Sequence, residues 1–273
     1  MTLQKSIVGT LLAMALFVAS LAMCGCSAQS NQEASSSSGL PQLTIGCSEY
    51  RPFVYTDNNG NLAGIDIDIA TEACKRMGYQ PEFKSIEWET RNDYLNSGEV
   101  DCLWSCYSMT EREDEYAWAG PYMLSRQVVA VPEESPIQSL ADLADKRIAV
   151  KASTKPESIF LERTDERIPQ VEGVYCLTSM SEVAAALRNE YVDACAGHEA
   201  ALTWYLQNAG ISYRLLDEDL MRAKLGVAFS PNGNAALREQ LSTTLAQMRE
   251  DGTTARILES YGLDAAALLQ GDE

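Results

Sequence analysis

Strands and helices alternate along most of this chain, and the alternation starts a second time near its middle. In the first half, a helical pattern at residues 65–78 separates short apolar runs typical of strands, with Asp66 as its expected cap and Gly78 at its end. After Pro121 and Tyr122 the same order of strand and helix begins again. Because strand–helix–strand order favours parallel strands covered by helices, the sequence predicts an α/β protein with two doubly wound, mostly parallel sheets.

Short local signals add detail to this order. Asn59-Gly60 stands between two apolar stretches and predicts a tight hairpin. Ser153 and Thr154 follow the strand predicted at residues 147–151 and are expected to cap the next helix. Chains with two α/β units commonly bind ligands where the units meet. The sequence therefore predicts a ligand cleft between them.

The N-terminal segment is expected to direct export rather than to belong to the fold. Lys5 precedes an apolar run at residues 7–23, and the letters CGCS follow. The pair Gly25-Cys26 resembles a bacterial lipoprotein processing site, which implies cleavage before Cys26 and lipid attachment to it. Cys24 is an off-pattern alternative, and a retained transmembrane helix is another.

The stretch after this site is polar, rich in serine and without hydrophobic periodicity. Such a segment has too little apolar surface to form a core. Residues 1–25 are therefore predicted to be a signal peptide, and residues 26–40 a flexible tether that holds the folded body just outside a membrane.

The chain is strongly acidic, with 39 Asp and Glu against 21 Lys and Arg and a formal net charge of −18. This charge argues against nucleic acid and against an anionic membrane surface as partners. It is otherwise typical of a solubilising surface and says little about a ligand.

Six cysteines fall outside the N-terminal segment, and they do not predict a metal site. Cys102 and Cys106 are four residues apart, with no histidine or third cysteine close by in sequence. Disulfides are possible in an exported chain, whereas apolar surroundings favour buried free thiols, and both alternatives stay open. The sequence predicts no metal and no cofactor.

Six segments of the chain resemble, in order, the markers of one protein family. They are YRPFVYTDNNGNLAGIDIDIATEACKRMG, WETRNDYLNSGEVD, TEREDEYAWAGPY, SLADLADKRIAVKAST, ALRNEYVDACAGHEAA and MREDGTTARILESYG. Each segment alone is a weak marker, but six in family order are specific. From about residue 42 to about residue 262, the chain resembles the family-3 extracellular solute-binding proteins of amino-acid ABC transporters.

The resemblance implies a two-lobe, type II periplasmic-binding-protein-like fold with the ligand cleft between the lobes. In this family the chain crosses between lobes twice, so that lobe 1 is discontinuous. The implied boundaries are residues 41–124 for the first part of lobe 1, 125–226 for lobe 2 and 227–273 for the rest of lobe 1.

The resemblance also implies a function. The expected ligand is a small polar solute, above all an amino acid or a related carboxylate, which is delivered to the permease subunits of an ABC transporter. A monomer without enzymatic activity is expected outside the cytoplasm, at the cell surface, anchored to the membrane through its lipid. Two alternatives stay open: an enzyme resembling cyclohexadienyl dehydratases on the same fold, and a ligand-sensing extracellular protein.

Arg112 matches the family's arginine that grips the α-carboxylate of the ligand, a role that suits the planar guanidinium fork. The alternative is a surface ion pair with Glu111 or Asp114. Only Glu111 separates Thr110 from Arg112, one residue fewer than in the family. This departure leaves open whether Ser108 or Thr110 faces the ligand.

Aromatic side chains are expected to cover the ligand from opposite walls of the cleft. Tyr50 and Trp88 match two such positions of the family, and ordinary core packing is the alternative for both. Ser105, at the end of the strand that leads to Arg112, is a further candidate for ligand binding.

The second lobe is expected to contribute a helix N-terminus to the site. Ser153 and Thr154 fall where the family has Gly-Thr, and unpaired N–H groups at such a helix end attract a carboxylate. Lys155 follows and is expected to lean toward an acidic side chain. A simple helix cap is the alternative role for this pair.

The position of the family's amine-binding acid is the most informative departure. It falls five residues after the strand aspartate, and counting from Asp193 reaches His198. A neutral histidine accepts one hydrogen bond but supplies no charge. Either Glu199 turns into the cleft and replaces the acid, or the ligand is not an ordinary α-amino acid. The structural alternative is that His198 packs at the strand end and Glu199 is solvated. If His198 holds the ammonium, binding is expected to fall below about pH 6.

Two cysteines are expected close together at the cleft edge of the first lobe. Cys47 ends the first strand, and Cys106 follows a strand that the family places beside it. Proximity is therefore predicted, and a disulfide between these cysteines is left open.

Overall fold

A computed structural model of the protein describes residues 39–163 and 165–270. The predicted signal peptide, nearly all of the predicted tether and the predicted lipid site at Cys26 lie outside these residues. The described strands are β1 (Gln42–Cys47), β2 (Tyr55–Thr56), β3 (Leu62–Ala63), β4 (Gln80–Ser85), β5 (Cys102–Leu103), β6 (Ala117–Pro132), β7 (Arg147–Lys151), β8 (Gly173–Leu177), β9 (Ala194–His198), β10 (Tyr213–Leu215) and β11 (Met221–Phe229). The described α-helices are α1 (Ile65–Met77), α2 (Arg91–Ser97), α3 (Lys155–Glu162), α4 (Met180–Arg188), α5 (Glu199–Asn208), α6 (Ala235–Glu250), α7 (Thr253–Ser260) and α8 (Ala265–Leu269).

Nine of these strands form one hydrogen-bonded sheet, ordered β4-β1-β5-β11-β6-β9-β7-β8, with β10 paired to β6. The outer strands are parallel on both sides: β1 pairs with β4 and β5, and β7 pairs with β8 and β9. Each parallel group follows from strand–helix–strand connections, as the sequence predicts. The central contacts of β11 with β5 and of β6 with β9 and β11 are antiparallel.

The long strand β6 and its partner β11 join the two parallel groups. Their register runs from Gln127 opposite Met221 to Ala117 opposite Phe229, and it shifts next to Gly226. The sequence pattern placed a break at Pro121, but β6 continues through it. A proline is tolerated in a strand where the pairing is irregular, and here it lies beside this register shift. The predicted lobe boundaries at residues 124–125 and 226–227 fall within β6 and β11, and the division into lobes remains a prediction.

Helix α6 illustrates how the helices attach to the sheet. Its apolar residues recur three or four apart, so they share one face. That face is buried, and its largest side chains are Leu237, Leu241, Leu245 and Met248. Full burial of one such side chain stabilises the fold by about 1.5–3 kcal/mol relative to its exposure.

Two local predictions fare differently. The hairpin at Asn59-Gly60 is confirmed, because β2 and β3 pair across it. The prediction that Asp66 caps α1 was wrong: Gly64 holds the cap position and Asp66 is buried one position inside the helix. Its carboxylate instead accepts hydrogen bonds from other parts of the chain, as described below.

The described cysteines are all free thiols, so Cys47 and Cys106 do not form a disulfide. Both are buried, and burial raises the pKa of each thiol. None of the helices within residues 39–163 and 165–270 combines the length and apolar composition that crossing a membrane requires.

Candidate ligand-binding site

A cavity opens where the C-terminal ends of β7 and β9 meet the segments that follow β1 and β5. This edge of an open α/β sheet is where ligands commonly bind. The cavity and its mouth hold about 390 Å³ of space free of protein atoms. Eight of the ten predicted ligand-binding residues line it: Tyr50, Trp88, Ser105, Ser108, Arg112, Ser153, Thr154 and His198.

Arg112 lies at the cavity, and its guanidinium forms no ion pair within residues 39–163 and 165–270. The side chain is 9% exposed and sits over the Tyr107 ring, 5.2 Å from its centroid. The surface ion pair with Glu111 or Asp114 does not form, since Glu111 bonds to Lys155 instead. A tight turn positions the arginine, because its backbone N–H donates to the Met109 carbonyl. A buried guanidinium without a counterion is suited to receive an anion.

The segment before Arg112 forms a polar wall. Ser108 is buried, lines the cavity, and has no hydrogen-bond partner for its hydroxyl within the described residues. Ser105 also lines the cavity, but its hydroxyl is engaged with the backbone N–H and C=O of Ser48. Thr110 does not line it, because its hydroxyl accepts the backbone N–H of Lys224 in β11. Of the two alternatives left open by the sequence, Ser108 is the one at the cavity.

The aromatic rings of Tyr50 and Trp88 both line the cavity, and their role in covering a ligand stays a prediction. Both are 6% exposed. Trp88 packs edge to face against Tyr107 at 4.9 Å between ring centroids. Tyr50 lies edge to face with His198 at 6.0 Å. Each ring therefore packs against a neighbouring ring of its own and also lines the cavity, so the two alternatives for these residues are not exclusive.

The start of α3 forms a third wall. Thr154 holds the helix cap position, but its hydroxyl donates to the Lys151 carbonyl and accepts no hydrogen bond from a helix N–H group. Ser153 lines the cavity in a left-handed backbone conformation. Lys155 leans toward an acidic side chain as predicted, since its ammonium lies 3.1 Å from a Glu111 carboxylate oxygen.

His198 ends β9 and is held by two hydrogen bonds. Its Nδ1 lies 2.8 Å from Ser125 Oγ, and its Nε2 lies 2.8 Å from the amide nitrogen of Gln127. An amide nitrogen only donates, so Nε2 accepts and Nδ1 carries the ring proton toward Ser125. The pKa of His198 is lowered to about 3, mainly by burial and to a smaller extent by the positive charge of Arg112. This pKa lies well below 6, so the ring is expected to stay neutral at pH 6 and binding is not expected to fall there through its protonation.

Glu199 does not turn into the cavity, contrary to one of the alternatives. It starts α5, and its carboxylate forms an ion pair with Arg126 at 3.2 Å. Gln127 and His198 are register partners on β6 and β9, and consecutive residues at a strand end point in different directions. Of His198 and Glu199, only His198 therefore faces the site.

Gln127 and Lys151 are cavity residues that the sequence analysis missed. Gln127 Oε1 is buried and has no hydrogen-bond partner among the residues that the structure describes, and Lys151 is 7% exposed with its pKa lowered by burial. A signal existed for Lys151, because it ends a predicted parallel strand and so lies at the ligand-binding edge of the sheet. No comparable signal marked Gln127, whose position depends on pairing with β9.

Asp66 forms a hydrogen bond to the backbone of a residue that lines the cavity. One carboxylate oxygen accepts the backbone N–H of Cys106, and the other accepts the hydroxyl of Tyr122 at 2.8 Å. Cys106 has a positive φ of 49° and lies between Ser105 and Ser108 in the polar wall. The buried carboxyl thus positions a strained part of the cavity lining.

Asp66 is expected to make stability depend on pH. Burial raises its pKa from 3.8 to about 7, outweighing the two hydrogen bonds it accepts. Between these values the folded protein keeps a proton that the unfolded chain releases, so stability falls as pH rises from about 4 to about 7 and levels off above. Between about pH 4 and about pH 7, the free energy of unfolding of the parent should fall by up to about 4 kcal/mol relative to that of an Asp66→Asn variant.

Urea unfolding at several pH values measures this difference. Asp93→Asn is the matched control, since Asp93 is an exposed aspartate in the first turn of α2. A parent-minus-variant difference that stays flat or grows with pH would contradict the assignment to Asp66.

Buried cations, aromatic walls and unpartnered polar atoms around one cavity define a protein that binds a small solute. Residues 43–264 match the family model of the bacterial extracellular solute-binding proteins, family 3. The chain belongs to this family.

Individual relatives agree with this membership. The chain is 26% identical to the L-cystine-binding protein TcyA of Bacillus subtilis (strain 168), over 91% of this chain and 94% of that protein. It is similar to the crystal structure of Tv2483 bound to L-arginine, with a TM-score of 0.73 and 28% identity over 81% of this chain and 90% of that chain. A second similar structure is that of the ancestral amino acid-binding protein AncCDT-1, a precursor of cyclohexadienyl dehydratase, with a TM-score of 0.71 and 25% identity over 81% of this chain and 95% of that chain. The type II periplasmic-binding-protein fold predicted from the sequence is thereby confirmed.

Proposed function

We propose that this protein binds a small solute bearing a carboxylate, an amino acid or a related acid, and delivers it to the permease of an ABC transporter. In this proposal the carboxylate lies on Arg112, with the hydroxyl of Ser108 and the start of α3 around it. The aromatic rings of Tyr50 and Trp88 cover the remainder of the ligand. The relatives' ligands, cystine and arginine among them, carry such a carboxylate.

The observation that carries the proposal is the guanidinium of Arg112 in the cavity wall, which forms no ion pair in the part of the chain that the structure describes. Leaving a buried charge without a counterion is unfavourable, and a ligand carboxylate removes that cost while forming two charge-assisted hydrogen bonds. Closure of two lobes around the ligand, with β6 and β11 as the crossing strands, is the expected way in which the cavity exchanges solute.

We infer that the site binds rather than transforms its ligand. A dehydratase on this fold needs a carboxylic acid in the cleft as its proton donor. Among the described residues that line the cavity there is no Asp or Glu, and Glu199 is engaged with Arg126 outside it. His198, with its pKa lowered to about 3, holds no proton on Nε2 to donate at neutral pH.

A thermal-shift screen of the twenty amino acids, dipeptides and related organic acids tests the proposal. At a ligand concentration one hundred times Kd, binding stabilises the folded state by about 2.7 kcal/mol. For a chain of this size that corresponds to roughly 5–10 °C in Tm. Solutes that shift Tm should be recovered unchanged after incubation. The absence of a shift with every carboxylate would contradict the proposal, and turnover would favour the dehydratase alternative.

We further propose that the mature protein begins at Cys26 and carries lipid there. This proposal rests on the pair Gly25-Cys26, which follows an apolar run in a chain that belongs to an extracellular family. Mass spectrometry of the N-terminal peptide from the native host is expected to find a lipid-modified Cys26 and no residue before it. An unmodified peptide that spans residues 20–30 would exclude this processing.

A further inference from the structure

The cavity carries more positive charge than the surrounding protein neutralises. Arg112 and Lys151 both line it and are 9% and 7% exposed. Neither forms an ion pair with a carboxylate in the part of the chain that the structure describes, whereas Lys155 pairs with Glu111. Because a buried charge without a partner is unfavourable, two unpaired cations around one cavity favour a ligand with two negative charges.

Lys151 is the cation that the family resemblance does not account for. It ends β7, and its ammonium lies 5.9 Å from the centroid of the Tyr50 ring. Burial lowers its pKa, Arg91 acts in the same direction, and Glu89 opposes both without forming an ion pair. A charge that the protein itself disfavours gains most from an anion that the ligand supplies.

The cavity offers no negative charge to a ligand ammonium. No aspartate or glutamate is among the described residues that line it. The neutral ring of His198 uses both of its nitrogen atoms within the protein. Among the buried side-chain atoms of the described residues that line the cavity, Gln127 Oε1 and Ser108 Oγ have no hydrogen-bond partner. Gln127 Oε1 accepts a hydrogen bond from a hydroxyl as well as from an ammonium, but it adds no charge.

We propose that the preferred ligand is a small 2-hydroxy dicarboxylate dianion, an acid of the malate or 2-hydroxyglutarate class, rather than an α-amino acid. One carboxylate binds Arg112, the second binds Lys151, and the hydroxyl donates to Gln127 Oε1. This assignment rests on the proposed function, since it names the solute class for the same site.

Matched ligand pairs test the preference by calorimetry with the full chain. L-malate and L-aspartate differ in a hydroxyl against an ammonium, and L-2-hydroxyglutarate and L-glutamate differ in the same way. In at least one pair the hydroxy acid is expected to bind about tenfold more tightly or better, because the ammonium meets two cations and no anion. L-lactate, with one carboxylate, is expected to bind more weakly than either dicarboxylate hydroxy acid.

Variants of Lys151 test its role separately. Lys151→Met should weaken binding of the preferred hydroxy acid by about tenfold or more and change L-lactate binding by less than about twofold. Lys75→Met, at an exposed lysine on α1, is the matched control and should change neither. Lys151→Arg keeps the charge, so it should keep the preference for dianions even if Lys151→Met fails to fold.

The outcomes separate this inference from the function on which it rests. Tighter binding of the amino acid in both pairs overturns the inference and leaves solute binding intact. Unchanged malate or 2-hydroxyglutarate affinity in folded Lys151→Met also overturns it. If neither the hydroxy acids nor any other carboxylate of the thermal-shift screen binds to the folded protein, the proposed function fails as well.

Discussion

Replacing Arg112 with alanine is expected to weaken ligand binding by at least tenfold, or about 1.4 kcal/mol. The loss can reach about 3–5 kcal/mol, because the variant leaves a buried ligand carboxylate without its partner. The free protein should not lose stability, since the guanidinium makes no ion pair within the described chain. Its removal relieves an unpaired buried charge, so Tm without ligand is expected to stay constant or rise.

Calorimetry on the parent and the variant, with the strongest ligand of the thermal-shift screen, measures this effect. Arg188→Ala is the matched control, because Arg188 is an exposed arginine at the end of α4. Arg112→Lys should give an intermediate loss, since an ammonium keeps the charge but not the planar fork. Equal affinity in Arg112→Ala and Arg188→Ala would remove Arg112 from the site.

Substitution of Gly64 by alanine is expected to destabilise the protein by about 2–5 kcal/mol. Gly64 caps α1 with a φ of 129°, and an added Cβ would lie 2.2 Å from the carbonyl oxygen of Phe53. Unfavourable backbone conformation contributes about 1–3 kcal/mol and the overpacking a similar amount. The clash involves backbone on both sides, so no side-chain rotation relieves it. A loss of this size is a large part of a typical stability of 5–15 kcal/mol.

Gly60→Ala separates the two contributions. Gly60 also has a positive φ, 84°, but nothing lies within 4 Å of a Cβ built there. This variant should therefore lose only about 1–2 kcal/mol for the backbone conformation. Urea unfolding followed by circular dichroism measures both variants. Equal losses at Gly60 and Gly64 would show that the close approach of Phe53 is unimportant.

The order of the elements was predictable because it depends on local patterns. The hairpin at Asn59-Gly60 and the helix at residues 65–78 follow from turn chemistry and hydrophobic periodicity, and both form. The length of β6 was not predictable in this way. A proline inside an apolar run indicates a break, and the strand continues only because β11 pairs with it on both sides of an irregular register.

The cavity shows the same division between local and distant causes. Arg112 and Tyr50 were predicted because sequence motifs mark them, and both line the cavity. Asp66 was expected to be a helix cap, since an acidic residue at a helix start usually has that role. Its actual partners, the backbone of Cys106 and the hydroxyl of Tyr122, lie 40 and 56 residues away in sequence. No window of local sequence contains that information.

The sequence by itself determined the alternation of strands and helices and the family, and its motifs marked Arg112, which lines the cavity. Only the tertiary structure decided between His198 and Glu199 at the junction of β9 and α5. The register of β9 against β6 sets Gln127 opposite His198 and leaves Glu199 to pair with Arg126. Side-chain direction at a strand end follows from backbone hydrogen bonds to another strand, and in this protein that strand lies about 71 residues earlier in the chain.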